Sequence, residues 1–197
     1  MMMKSAVTAS IALAAGALVL AACNKPAGGN AQTPAGAASG GVAISGAGAT
    51  FPAPLYARWA ENYKSSSGLT LNYQAIGSGG GIKQIQANTV DFGASDKPMK
   101  PEELDKAGLY QFPTVIGGVV PVVNLPGVES GQLKLTGPLL ADIFLGAVKS
   151  WSDPKIAQAN AGVKLPNLPI TVVHRSDGSG TSFLFTTYLA GKSPAWA

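Results

Sequence analysis

Three stretches of this sequence place small residues and a hydroxyl where a helix is expected to begin. They are Gly48-Ala49-Thr50, Gly77-Ser78-Gly79-Gly80-Gly81 and Gly178-Ser179-Gly180-Thr181. The first turn of a helix carries unpaired N–H groups and a partial positive charge. Glycine lets an anion approach the backbone, and Ser or Thr adds an O–H donor, so such a junction suits an oxyanion. One such turn alone can be no more than a helix cap; three in one chain point to an anion site. Arg175 ends the strand expected before the third turn, and Asp96 ends the strand expected after Asp91-Phe92-Gly93. A guanidinium can grip an oxyanion through two parallel hydrogen bonds. Composition alone favours both charges being solvated in loops or paired with one another. None of the turns continues into the Gly-Lys-Ser/Thr of a P-loop, and none is a dinucleotide fingerprint with its downstream acid.

Other chemistries find little support. A nucleophilic serine needs a base within reach. Ser179 has only His174, the single histidine of the chain, five residues upstream. The Gly-x-Ser-x-Gly elbow of the serine hydrolases would need glycine two residues to either side of Ser179, where Asp177 and Thr181 stand, so it is not formed. One Cys and one His make no metal-ligand set, and no cofactor motif is present. A binding protein, not an enzyme, is expected. A secreted serine hydrolase or phosphatase working through Ser179 is the alternative from another class. The formal charge of +4 comes from 14 Lys+Arg against 10 Asp+Glu. The basic residues are scattered without a run, which argues against nucleic acid, whereas a small anion needs only one or two charges.

The elements expected to position these groups alternate. Val42–Ile44 reads as a strand leading into the first turn, and Phe51-Pro52-Ala53-Pro54 opens a helix, where proline suits the first turn. Leu55, Trp59 and Tyr63 recur every four residues as a helical face. Leu69, Leu71 and Tyr73 alternate with polar residues, as in a half-buried strand. A short helix around Ile82–Ala87 and a strand over Val90–Ala94 follow, then a helix over Pro101–Ala107 with Glu102 and Glu103 in its first turn. The apolar run Thr114–Asn124 is broken by Gly117, Gly118 and Pro121, which predicts a bend or a crossing between lobes. Leu139–Phe144 reads as helix, Ile170–His174 as a strand ended by Arg175, and Thr181–Leu189 as helix. His174, alone in an apolar strand, reads as structural. Alternation of this kind predicts an α/β fold with a mostly parallel sheet and helices on both faces. All three turns would then lie at the carboxyl ends of strands, where α/β sheets hold ligands.

The N-terminus reads as an address. Lys4 precedes a 15-residue apolar stretch, Ala6–Leu20, short for a membrane span but right for a secretory leader. Leu20-Ala21-Ala22-Cys23 resembles a lipobox, with residues 1–22 the signal peptide and Cys23 the lipidated N-terminus. Residues 23–41, rich in Ala, Gly, Pro and Ser, read as a flexible tether. About 155 residues then remain, a length fitting one domain or part of a larger protein.

Five stretches carry a specific resemblance. Gly46 to Pro54, Asn72-Tyr73-Gln74 through Gly77-Ser78, Asp91-Phe92-Gly93-Ala94-Ser95-Asp96, Phe112 to Gly118, and Arg175 through Thr181 match in order and spacing. They resemble the periplasmic phosphate-binding proteins, substrate-binding lipoproteins of bacterial phosphate ABC transporters. The resemblance runs from about Val42 to the last residues. It implies a type II periplasmic binding protein with two lobes and mixed or parallel sheets, the first lobe over 42–120 and part of a second over 121–197. Relatives continue further, so a C-terminal part is expected to be missing. It also implies phosphate ligands at Thr50, Phe51 (through its N–H), Ser78, Asp96, Arg175, Ser179, Gly180 and Thr181. The implied partners are inorganic phosphate, the permease subunits of the importer and, through lipid on Cys23, a membrane. The implied setting is the periplasm or extracytoplasmic face, and the protein is expected to be a monomer. Asp96 gains a role here, because a carboxylate can only accept hydrogen bonds and would favour a protonated anion over sulfate. A receptor for another tetrahedral oxyanion, sulfate or molybdate, is the alternative within this fold. Gly79 stands where many relatives have a second Ser.

Overall fold

The computed structural model describes residues 42–197. The expected leader, Cys23 and the tether lie outside them. In chain order the elements are β1 (Ala43–Gly48), α1 (Ala53–Ser67), β2 (Thr70–Gln74), α2 (Ser78–Gln86), β3 (Phe92–Ala94), α3 (Pro101–Ala107), α4 (Gly137–Phe144), α5 (Pro154–Ala159) and α6 (Gly180–Ala190). The fold is α/β with a three-stranded parallel sheet in the order β2-β1-β3. Ala43 aligns with Thr70 on one side of β1, and Gly46 with Phe92 on the other.

β1 runs further than its apolar residues predict, through the glycines to Gly48. Close packing explains the glycines. A Cβ on Gly48, whose φ is 143°, would strike the Ala94 carbonyl, and one on Gly81 would meet the Gly48 backbone. The first turn of α2 thereby rests directly on the ends of β1 and β3. α2 also starts at Ser78, several residues before its apolar part, so the second glycine-rich turn is itself the opening of the helix.

α1 begins after Pro52 and ends at Gly68, whose left-handed φ of 74° returns its N–H to the Lys64 carbonyl. The stripe of Leu55, Trp59 and Tyr63 is 39%, 46% and 50% exposed. The helix meets the sheet instead through Tyr56, whose ring stands edge-on to Tyr73 at 5.0 Å, while Tyr73 stacks on Phe92 at 5.8 Å. The helical period is right, but the sheet-facing residue is one position further along.

Neither the apolar run expected to bend or cross between lobes nor the expected strand at Ile170–His174 forms a regular strand. Thr114–Asn124 carries no ladder, and Ile116 and Val122 are 96% and 89% exposed. Although Ile170 and Val172 pack against an apolar cluster, Ile170–His174 has a backbone hydrogen bond only at its start. There Pro169 forms a single antiparallel bridge with Ser150, and the Ile170 N–H reaches the Lys149 carbonyl at 2.8 Å. A strand needs a neighbour to complete its hydrogen-bond ladder, and no such neighbour lies among the described residues. His174 accordingly sits exposed outside any strand, not in an apolar one.

Residues 125–197 bury their own apolar clusters. Leu139, Ile143, Val148 and Ile156 form one, and Leu140, Ala141 and Leu189 form another. α4 contributes to both from opposite sides, and its N-terminus is capped by the Thr136 hydroxyl. α5, which no sequence periodicity marks, is capped by Asp153 and inserts Ile156 into the first cluster. α6 places Leu189 in the second cluster and so is anchored at its C-terminal end.

Candidate anion site

The three glycine-rich turns meet. The Gly79 N–H donates to the Gly178 carbonyl at 2.7 Å, and the Gly77 N–H to the Gly48 carbonyl at 2.8 Å. A Cβ on Gly180 would collide with the Ser78 hydroxyl and crowd Asp96, and one on Gly77 would meet Asp177 and Arg175. Turns separated by many residues therefore approach to backbone contact, which only glycine permits here. The first two turns follow β1 and β2. The third follows an extended segment that is not a strand, so the expectation of three strand ends holds for two.

Around this contact the polar groups are paired across the turns. The Asp96 N–H donates to Ser78 Oγ at 3.2 Å, and Thr181 Oγ1 donates to Asp96 Oδ2 at 3.1 Å. Asp96 Oδ1 is buried and has no partner. Arg175 Nη1 donates to Thr50 Oγ1 at 3.0 Å, joining the first and third turns. Ser179 caps α6 by accepting the Ser182 N–H at 3.1 Å, which leaves its hydroxyl proton free to donate elsewhere. Gly180 and Thr181 open α6, where N–H groups lack partners within the helix. Ser78 holds the same place in α2 and is 3% exposed.

Of the residues expected to hold the anion, Thr50, Ser78, Asp96, Arg175, Gly180 and Thr181 are thus linked by hydrogen bonds or direct packing, and Ser179 lies in the same turn. Phe51 follows Thr50, with its ring 44% exposed and turned towards Gly117. The Gly79 N–H, which the missing hydroxyl would have left as that residue's donor, is committed to Gly178.

Arg175 does not pair with Asp96. Its Nε donates to Asp177 Oδ1 at 2.8 Å, and its Nη2 also bonds Asp177 Oδ2. Hydrogen bonding to Asp177 raises the guanidinium's pKa above its ordinary value, with Asp177 and Asp96 adding charge attraction, and the same hydrogen bonds hold Asp177 below the usual carboxylate range. Asp177 escaped the sequence reading, although an acid two residues from an Arg was the available signal. Tyr73 escaped it too. Its hydroxyl donates to the Ala49 carbonyl at 2.6 Å, and burial, then Tyr56 and Asp96 nearby, push its pKa above the ordinary tyrosine value.

The geometry also bears on the serine. His174 Nδ1 lies 3.1 Å from the carbonyl of Arg175, and Ser179 Oγ is engaged with Ser182. The hydroxyl that a hydrolase would use is here a helix cap.

A sequence model described as the PBP superfamily domain matches residues 31–197. The chain belongs to the PBP superfamily. Among its relatives in that superfamily is the phosphate-binding protein PstS of Xylella fastidiosa strain Temecula1. It is 59% identical over 155 residues, covering 79% of this chain and 43% of that protein. PstS of Haemophilus influenzae is 60% identical over 153 residues, covering 78% and 46%. The archaeal PstS of Methanocaldococcus jannaschii is 39% identical over 179 residues, covering 86% and 46%. A crystal structure with bound phosphate from Clostridium perfringens, assigned by its name to a phosphate ABC transporter's substrate-binding protein, matches with a TM-score of 0.54 and 25% identity. The match covers 75% of this chain and 56% of that one. The chain spans about half the length of the curated relatives it matches.

Proposed function

We propose that this PBP superfamily chain binds inorganic phosphate at the junction of its three glycine-rich turns, as part of a receptor that delivers phosphate to an ABC importer. One observation carries the reading: Asp96 presents a buried carboxylate oxygen, Oδ1, without a partner, amid hydroxyl and backbone donors. A buried acceptor of this kind is stabilised by a donor. A hydrogen phosphate brings an O–H to Asp96 and acceptor oxygens to the donors of Thr50, Phe51, Ser78, Ser179, Gly180 and Thr181, with Arg175 balancing charge. Sulfate at neutral pH brings acceptors only. The names of the relatives agree with this ligand.

The same reading makes the protein a non-enzymatic monomer outside the cytoplasmic membrane, tethered through lipid on Cys23 and docking on permease subunits. Among the described residues no helix is long and apolar enough to cross a membrane; in this reading the attachment is the lipid on Cys23.

The test is equilibrium binding of phosphate to the purified chain with sulfate as competitor. Saturable binding that excess sulfate fails to displace supports the proposal. Displacement by sulfate or molybdate at equal concentration would transfer the site to another oxyanion. Absence of binding by the folded chain would refute the idea that these turns suffice.

A further inference from the structure

Both polar backbone groups of Ala49 are tied down. Its N–H donates to the Ala94 carbonyl at 2.9 Å, and its carbonyl accepts the Tyr73 hydroxyl at 2.6 Å. The residue is 2% exposed, so water is a poor substitute for either partner. The Ala49 carbonyl and the Thr50 N–H belong to one planar trans peptide and point in opposite directions. Whatever fixes the carbonyl also fixes that N–H, along with the path of the chain into Thr50 and Phe51.

We propose that Tyr73 is a positioning residue for the anion site, its phenol holding the Ala49 carbonyl and thereby setting the direction of the Thr50 N–H, a role that rests on the phosphate reading above. Tyr73 touches the first turn from beneath, along β2. Its ring is clamped: Phe92 stacks on it at 12° between planes, and Tyr56 stands edge-on at 86°. A clamped ring holds its hydroxyl at one place, so the bond restrains the turn instead of following it. The raised pKa keeps the phenol a donor throughout the neutral range. Tyr56 offers a built-in comparison. Its hydroxyl meets Thr114 Oγ1 at 2.8 Å, away from the turn.

The test uses the full chain with Tyr73→Phe, which keeps the ring and removes the donor, and with Tyr56→Phe as the control. A Thr50 N–H no longer held in one direction loses much of a hydrogen bond to a charged ligand, which is expected to weaken phosphate binding by about tenfold, measured well below the unfolding temperature, while Tyr56→Phe binds as the parent does. Replacing Tyr73 by 4-aminophenylalanine restores an N–H donor at the same place and should restore most of the affinity. A role in stability alone would lower the melting temperature without changing the affinity of the folded protein. Hydrogen exchange provides a readout independent of ligand: the Thr50 and Phe51 amides should exchange faster in Tyr73→Phe without phosphate. Should the parent bind no phosphate while those amides still loosen, the phosphate reading fails and the control of the turn by Tyr73 stands. Unchanged exchange at Thr50 and Phe51, or unchanged phosphate affinity in Tyr73→Phe when the parent binds, overturns the inference.

Discussion

Replacing Asp96 by Asn isolates the selectivity argument. The substitution changes one group and preserves shape. The Asn carbonyl can take the place of Oδ2 and accept the Thr181 hydroxyl, which puts the NH₂ where the partnerless Oδ1 lies. The position that could only accept then donates. For sulfate, a contact between two acceptors becomes a hydrogen bond. A buried polar group without a partner costs about 1–3 kcal/mol, and a hydrogen bond to a charged group contributes about 1.5–3 kcal/mol. The two effects overlap and do not add; a change of about 2–3 kcal/mol gives sulfate a gain of about 30- to 150-fold in affinity. Phosphate loses the partner for its proton but can turn another oxygen towards the new donor, so its affinity should fall by only about tenfold or less. The phosphate-over-sulfate ratio therefore collapses chiefly from the sulfate side. Isothermal titration with each anion at neutral pH and fixed ionic strength measures both affinities. A variant that rejects sulfate as strongly as the parent, while binding phosphate, would refute the assignment of Oδ1 to the proton of the ligand.

Gly180→Ala should disrupt the meeting of the turns, since its methyl would overlap the Ser78 hydroxyl and press on Asp96. Phosphate affinity is expected to drop at least about tenfold, with overpacking of about 1–3 kcal/mol seen in urea denaturation. Ile156→Ala removes a fully buried side chain from the cluster under α4 and α5. Chemical denaturation should show a loss of about 2–5 kcal/mol. Stability should also have an acid limb. Asp91, bonded to the N–H and hydroxyl of Ser45, and Asp177, bonded to Arg175, both have pKa values lowered from 3.8 in the folded chain. Groups depressed in this way stabilise fully above the unfolded value and lose that contribution as pH falls through the folded one. The melting temperature should hold down to about pH 4 and decline below it. In Asp91→Asn that decline should be shallower, which a pH series of thermal melts would read.

The parts legible in the sequence were those set by local chemistry. Pro101 with Glu102 and Glu103 marks α3 at its observed bounds, and the hydroxyls and glycines mark the openings of α2 and α6. The same helix-terminus physics marked the three turns that contain Thr50, Ser78, Ser179, Gly180 and Thr181, while the family resemblance named those residues as ligands. What the sequence could not supply were facts fixed by neighbours. Ile170–His174 has the composition of a strand, but pairing depends on another segment, and only Pro169 found one. Arg175 is equally plausible beside Asp96 or Asp177, and only the turn geometry decides for Asp177. Tyr73 reads as one member of an alternating strand, since nothing local reveals that its hydroxyl reaches a carbonyl 24 positions away.

The bond between Arg175 and Thr50 spans 125 positions of chain. Closing a flexible loop of that length costs about 4 kcal/mol of entropy, far more than one hydrogen bond returns. Its formation is favoured once α4, α5 and the cluster around Ile156, which lie between those positions, have shortened the path. The site is thus a late product of folding, absent from any chain still emerging without Arg175. A ligand bridging the first and third turns would tie together segments some 125 positions apart in the described polypeptide. Occupancy should then act on global unfolding, raising stability with the logarithm of free ligand concentration, instead of merely quieting a loop.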